Sequence, residues 1–275
     1  MAQVSKNASP TEETFKAFER RLSRIRMNRY RRATASKEEA VALYLWNIAL
    51  SEALYPALHF FEVALRNATN DALSNHFGKT NWFLDPLILT EIRHQEQVQE
   101  AIQKLRRDRK GHFLGLETAP NFPREPGRVV AELSLGFWVN LYSDPYASTL
   151  VRVVAGEAFP HSPDAIRLRK HQSAVYPKLR AILDLRNRIF HNEPIYHWSE
   201  RIVPNVSPAL KDRHRSLRET IGWMCAVQPV FLDSLDRFEK VHSAGWEALL
   251  EEVQFAFLTD EEHAQRGAAL EELPG

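Results

Sequence analysis

One cysteine, Cys225, in 275 residues leaves nothing for it to pair with, so an internal disulfide and a cysteine-based zinc site are both excluded. Its neighbours Trp223, Met224, Ala226 and Val227 make that segment read as buried. Glycine is scarce, with ten in the chain. No phosphate-cradling Gly loop and no Gly-x-Ser-x-Gly occurs, which counts against P-loop and serine-hydrolase chemistry. Eleven histidines form no metal motif: His191 and His197 are six apart, and no His-Glu-x-x-His is present. The apolar run from Ile221 to Leu232 is too short to span a bilayer and contains Gln228 and Pro229. No signal-peptide pattern opens the chain. The expectation is a soluble cytoplasmic protein with no membrane partner, no metal and no cofactor.

What is present favours helix. Apolar residues make up 44% of the chain, ordinary for a globular protein, and Leu, Ala, Glu and Arg dominate. The length allows one large domain or two small ones. A net charge of +1 conceals an asymmetry. Residues 19–32 hold seven Arg and one Glu, whereas residues 247–275 hold eight acids and one Arg. The first block suits a polyanion and the second does not.

Ser9-Pro10-Thr11-Glu12 is a capping box with Pro at the first helical position. Phe15, Phe18, Leu22 and Ile25 follow at helical spacing, so one helix is expected to about Arg32. Ser36-Lys37-Glu38-Glu39 is a second box, and its helix is expected to stop near Leu54 because Pro56 interrupts. The next runs from about Ala57 to Phe77, with Leu58, Phe61, Leu65, Ala68 and Ala72 as its core stripe and Gly78 placed to end it. Another is expected over roughly 86–108, and the Gly- and Pro-rich stretch 109–127 reads as a long loop. Helical spacing resumes at Val129 and passes through Phe137-Trp138. Ser162-Pro163-Asp164 starts a helix that is bent at Pro177 and closed by Pro194. Ser207-Pro208 opens another to about Val227, and Pro229, Gly245 and the Thr259-Asp260-Glu261-Glu262 box punctuate the rest. With no internal repeat and no strand alternation, the fold class is all-α.

The most informative segment is Leu185-Arg186-Asn187-Arg188-Ile189-Phe190-His191-Asn192-Glu193-Pro194. At about 100° per residue, Asn187 and His191 share a helix face, which Asp184 and Arg180 extend backwards. Ile182, Leu185 and Ile189 point the other way. Arg186 and His191 are about 140° apart. They converge only if the Arg reaches round, the last turn distorts, or a second subunit completes the site. The residue types can grip a phosphate and move a proton. His titrates near neutral pH and serves as base or acid. Arg matches the charge that builds on phosphate oxygens. Asn187 would orient the imidazole or hold a substrate hydroxyl. A bland reading also stands: a polar last turn, with His favoured by the helix dipole and Asp184–Arg188 as an i,i+4 ion pair.

This segment resembles the active-site signature of the HEPN superfamily, in which an Arg and a polar residue precede a His across a short spacer. Within the superfamily it is most similar to the Abi-like (abortive infection) group. Glu62-Val63-Ala64-Leu65-Arg66-Asn67, following Leu54-Tyr55-Pro56, resembles the first conserved helix of that group. Val130-Ala131-Glu132-Leu133-Ser134-Leu135-Gly136-Phe137-Trp138 resembles an internal motif. Asn192 and Pro194 depart from the pattern, since many relatives carry a second His and a basic residue after the first. The resemblance implies a helical bundle, metal-independent ribonuclease activity, two signatures meeting in a homodimer, and a role in phage defence or growth arrest. Arg186, Asn187 and His191 would then be catalytic in RNA cleavage by the substrate's own 2′-OH, which Asn187 could hold. Glu62 or Arg66 would line the site, unless they form only a surface salt bridge with each other. The organisation implied is a basic N-terminal helix (1–35), a HEPN-like Abi core (36–205) and a helical C-terminal extension (206–275).

Other expectations concern RNA and partners. Arg24, Arg26 and Arg29 would track an RNA backbone with Tyr30 stacking a base, unless the Arg block is a solvated face. Arg106 and Arg107, within Lys104 to Lys110, form a weaker basic patch. Tyr196, His197 and Trp198 follow the signature closely enough to stack a base, although core packing suits Trp198 better. A rival function is a non-catalytic module binding RNA or a partner. A third is a toxin silenced by an antitoxin through modification of Tyr196, and a phage component would be the trigger.

Overall fold

The computed structural model describes residues 10–106, 126–163 and 174–258. Among the described residues every regular element is helical and no strand occurs. In chain order the helices are α1 (Pro10–Leu22), α2 (Arg24–Arg31), α3 (Lys37–Phe77), α4 (Ile92–Leu105), α5 (Pro126–Glu132), α6 (Leu135–Asn140), α7 (Asp144–Ala147), α8 (Leu150–Ala158), α9 (Val175–Phe190), α10 (Leu210–Met224), α11 (Gln228–Asp233), α12 (Phe238–Ala244) and α13 (Leu250–Ala256). The chain forms two compact units. One comprises Met1–Leu54, Pro194–Leu210 and Arg237–Gly275, and the other Tyr55–Glu193 and Lys211–Asp236.

The first unit is organised around Asn47. Its buried carboxamide oxygen accepts the backbone N–H of Ile195 at 2.7 Å and of Tyr196 at 3.1 Å. Trp46 Nε1 donates to the Val241 carbonyl at 2.9 Å. Tyr30 packs edge-on to Tyr44 at 5.2 Å and against Tyr196 at 5.0 Å. In the second unit, the later half of α3 buries Leu58, Phe61, Leu65, Ala72 and Leu73. Thr69 and Tyr142 share a buried hydroxyl–hydroxyl bond of 2.8 Å, and Trp82 donates to Asn70 at 3.1 Å. The signature helix α9 buries Leu179, Ile182, Leu183 and Leu185 and packs on α6.

Several local expectations need correction. The first helix breaks at Ser23, whose φ of 72° interrupts α-geometry and whose hydroxyl caps Arg26 N–H at 3.3 Å. The break rotates the apolar stripe. Ile25 is left 79% exposed, and Met27 and Tyr30 become the buried pair. Conversely, α3 runs unbroken through Pro56. The carbonyl that loses its donor belongs to exposed Glu52, where water can satisfy it, while buried Leu50, Ala53, Leu54, Ala57 and Leu58 hold both sides. Ser36 caps α3 through Glu39 N–H at 3.1 Å, and Gly78, at φ 64°, ends it.

The fourth helix starts later than expected, at Ile92, after a 3₁₀ turn over Trp82–Leu84. Ser134 splits the expected continuous helix after Val129 by capping Phe137 N–H at 3.3 Å. Pro177 lies in the first turn of α9, where a missing N–H costs nothing, and so it does not bend the helix. The run after Trp223 and Met224 is not buried throughout: Cys225 is half-buried and Val227 exposed. The 109–125 part of the loop, the Asp164 helix start and the Thr259 box lie outside the described residues. By length and composition α3 is apolar enough to cross a membrane, but so is many a core helix, and 44% of that window is buried in the protein.

Candidate active site

The signature forms the C-terminal end of α9. The chain leaves the helix through two reversed hydrogen bonds, Asn192 N–H to the Ile189 carbonyl (3.1 Å) and Glu193 N–H to the Arg188 carbonyl (2.8 Å). Asn192 adopts φ 55° between them. This is a Schellman ending, and Asn is among the few non-glycine residues that accept it readily. It makes His191 the C-cap, exposed, with its backbone N–H on the Asn187 carbonyl at 2.9 Å. The imidazole makes no hydrogen bond to a described residue and is open to a substrate or partner.

Arg186 is held from three sides within the second unit. Its Nε lies 3.4 Å from Glu62 Oε2, an ion pair between groups 25% and 30% exposed. Its Nη1 reaches Asn187 Oδ1 at 3.5 Å, at the limit of a hydrogen bond. Its guanidinium lies 4.2 Å over the ring of Phe190. Phe190 in turn stacks on Tyr55 at 5.8 Å, and Tyr55 on His59 at 6.3 Å. Phe190 and Tyr55 remain 46% and 49% exposed. The result is an open aromatic ladder ending on a guanidinium beside the helix terminus that carries His191.

Sequence reasoning missed Tyr55, His59 and Phe190 as parts of this surface. A signal was present: Tyr55, His59, Glu62 and Arg66 recur at four-, three- and four-residue steps on one face of α3. It missed Arg213 of α10 as well. Burial and the neighbouring charge of Arg188 lower the pKa of Arg213, while Asp184 opposes them.

The ion pairs differ from those expected. Glu62 faces Arg186 instead of Arg66, and Arg66 Nη1 donates to the Ala131 carbonyl at 3.4 Å. Asp184 pairs with Arg180 at 3.1 Å, and Arg188 with Glu193 at 3.4 Å. Arg186 and His191 are not hydrogen-bonded to each other. Among the described residues no group of three or more His, Cys, Asp or Glu side chains gathers as a metal site would require.

The remaining candidates are placed as follows. Tyr196 belongs to the first unit, is 7% exposed, and donates its hydroxyl to the Arg29 carbonyl at 3.0 Å. That is a packing role, and it leaves the phenol poorly accessible for modification. Tyr30, at 1% exposure, is a core residue and not a base-stacking one, and burial pushes its pKa far up. Arg24 and Arg29 are exposed and Arg26 is half-buried. Arg24 and Arg26 are about 200° apart around α2, so the three do not form one stripe. Arg106 caps α4, half-buried, and Arg107 lies outside the described residues.

The chain belongs to the Abi-like protein family, which it matches over residues 13–197. That span contains Glu62, Arg66 and the whole signature. No curated protein and no solved structure matches the chain.

Proposed function

We propose that this Abi-like protein is a HEPN-type endoribonuclease of the cytoplasm. It cuts single-stranded RNA by attack of the substrate's own 2′-OH, without a metal, and serves abortive infection by limiting phage spread or arresting growth. The observation that carries this reading is the arrangement at the end of α9. Glu62 and Phe190 hold the Arg186 guanidinium in place, and one turn on, the His191 imidazole is open to solvent. Arg186 neutralises the phosphorane, His191 takes the 2′-proton or delivers one to the leaving 5′-oxygen, and Asn187 positions the sugar or the imidazole. Tyr55 and Phe190 offer the neighbouring base a stacking surface. Arg186 and His191 are about 140° apart around an ideal helix, and a homodimer that brings one signature to the other completes the site.

The test is cleavage of single-stranded RNA in the presence of EDTA. Wild type cuts RNA and not DNA, and His191→Ala loses ~10²–10⁴-fold in rate while remaining folded. One observation favours a second reading, a non-catalytic RNA- or partner-binding module: Arg186 is already engaged by Glu62 and Phe190. In that case wild type and His191→Ala bind RNA equally and neither cuts it.

A further inference from the structure

The aromatic row beside Arg186 lies within the second unit and continues from Phe190 through Tyr55 to His59. Tyr55 and His59 are four apart on one face of α3, and Glu62, three residues further on, is the residue that meets Arg186. Successive ring centres are 5.8 and 6.3 Å apart, with planes tilted by 30° and 22°. Rings at such separations stack with a large offset, so each leaves much of its face uncovered. All three side chains are exposed. Three open rings in one row form a patch, which isolated surface aromatics do not. The polar atoms of the row are open as well. The Tyr55 hydroxyl and both His59 ring nitrogens make no hydrogen bond to a described residue.

We propose that this row is a base subsite that selects a purine at the nucleotide whose phosphate Arg186 holds; the inference rests on the nuclease reading above for that phosphate contact. A single ring, Phe190, separates the Arg186 guanidinium from Tyr55, which is the reach of one nucleotide from phosphate to base. The guanidinium covers one side of Phe190, so the base lies on Tyr55 and the outer part of Phe190. The fused rings of a purine overlap a stepped surface better than the single ring of a pyrimidine, and stacking strength sets base preference on such platforms. His59, one step beyond Tyr55, meets the edge of that base. A neutral imidazole carries one N–H donor. Adenine and guanine both present N7 as an acceptor on the Hoogsteen edge, and pyrimidines have no such atom. A second copy of this chain would also cover the rings. The unpaired donor at the end of the row and the Arg186 guanidinium at its start favour a nucleotide.

The experiment uses the full-length chain and short oligouridine RNAs carrying one adenosine, guanosine, cytidine or 7-deazaadenosine at the centre. Affinities are measured by fluorescence anisotropy on the His191→Ala chain, and cut sites are mapped with wild type. One adenosine or guanosine is expected to tighten binding about tenfold over cytidine, and wild type to cut beside it. 7-Deazaadenosine keeps the stacking face but lacks N7, and should lose about three- to fivefold of that gain. With His59→Ala, adenosine and 7-deazaadenosine should bind alike; Tyr55→Leu should remove most of the purine preference. Purine-selective binding by a wild type that cuts no RNA supports the subsite and removes the nuclease reading. Cleavage without regard to base, with equal binding of all four RNAs, overturns the subsite and leaves the nuclease reading standing. A purine preference that survives both substitutions also overturns it. So does a Tyr55→Leu chain that sediments as a monomer where wild type is a dimer, since the row is then a contact between copies.

Discussion

Glu62 is the residue through which the long helix reaches the signature. Its carboxylate lies 3.4 Å from Arg186 Nε, and on the proposed mechanism its role would be to position that guanidinium. Glu62→Gln is expected to lower kcat by about tenfold with little change in KM, because the guanidinium is then less well preorganised. Arg186→Ala would remove the proposed phosphate contact itself and should cost ~10²–10³-fold. Steady-state kinetics of the two variants separate the roles; equal losses would make Glu62 a substrate ligand. Sequence spacing made Arg186, Asn187 and His191 legible as a cluster, and Glu62 legible as a candidate beside them. It could not show that Glu62 would turn from Arg66 to Arg186, because that choice depends on how α3 packs beside α9. For the same reason Tyr30 and Tyr196 look like stacking residues in the sequence, yet the structure buries them against each other.

At the level of elements, the capping and stop signals were the most readable features. Ser36 and Gly78 act where their neighbours in sequence indicate, since caps are made by residues within one turn. Breaks were less readable. Pro56 is absorbed because buried side chains on both sides outweigh one lost hydrogen bond, and Ser23 breaks a helix that has no proline at all. Packing also creates a titrating group that sequence gives no hint of. His94 of α4 is buried beside Phe137 and Tyr146, with Nδ1 3.0 Å from the Tyr146 hydroxyl. Burial, with the charge of Arg93 adding to it, lowers its pKa from 6.5 to about 4. The unfolded chain therefore takes up a proton that the folded chain refuses. This stabilisation is complete above about pH 6.5 and is lost progressively towards pH 4. At pH 5 the loss is about 2 kcal/mol at ~1.4 kcal/mol per unit. Urea unfolding at pH 7.5 and pH 5 should show a stability drop that is smaller by about this amount in His94→Gln than in wild type. An identical drop in both would assign the acid sensitivity to other groups.

At the scale of the whole molecule, the signature is presented by the second unit, while the first is built around Asn47 and Trp46. The all-α class followed directly from composition and period. The division into two units did not, because each collects segments distant in sequence. A homodimer with shared sites has a distinctive genetic consequence. Mixing Arg186→Ala chains with His191→Ala chains, each inactive alone, restores one complete site per heterodimer and should recover about a quarter of wild-type activity after random exchange. No recovery from chains shown to exchange would place Arg186 and His191 of the same chain in one site.

The chemistry at the end of α9 is read most directly from the ends that cleavage leaves. RNA cut in EDTA and analysed by mass spectrometry should carry 2′,3′-cyclic phosphate on the upstream fragment and 5′-hydroxyl on the downstream one, because the proposed nucleophile is the substrate's 2′-OH. These products should disappear in His191→Ala. Upstream fragments ending in 3′-hydroxyl, formed only when a divalent metal is supplied, would contradict a mechanism built on Arg186, Asn187 and His191.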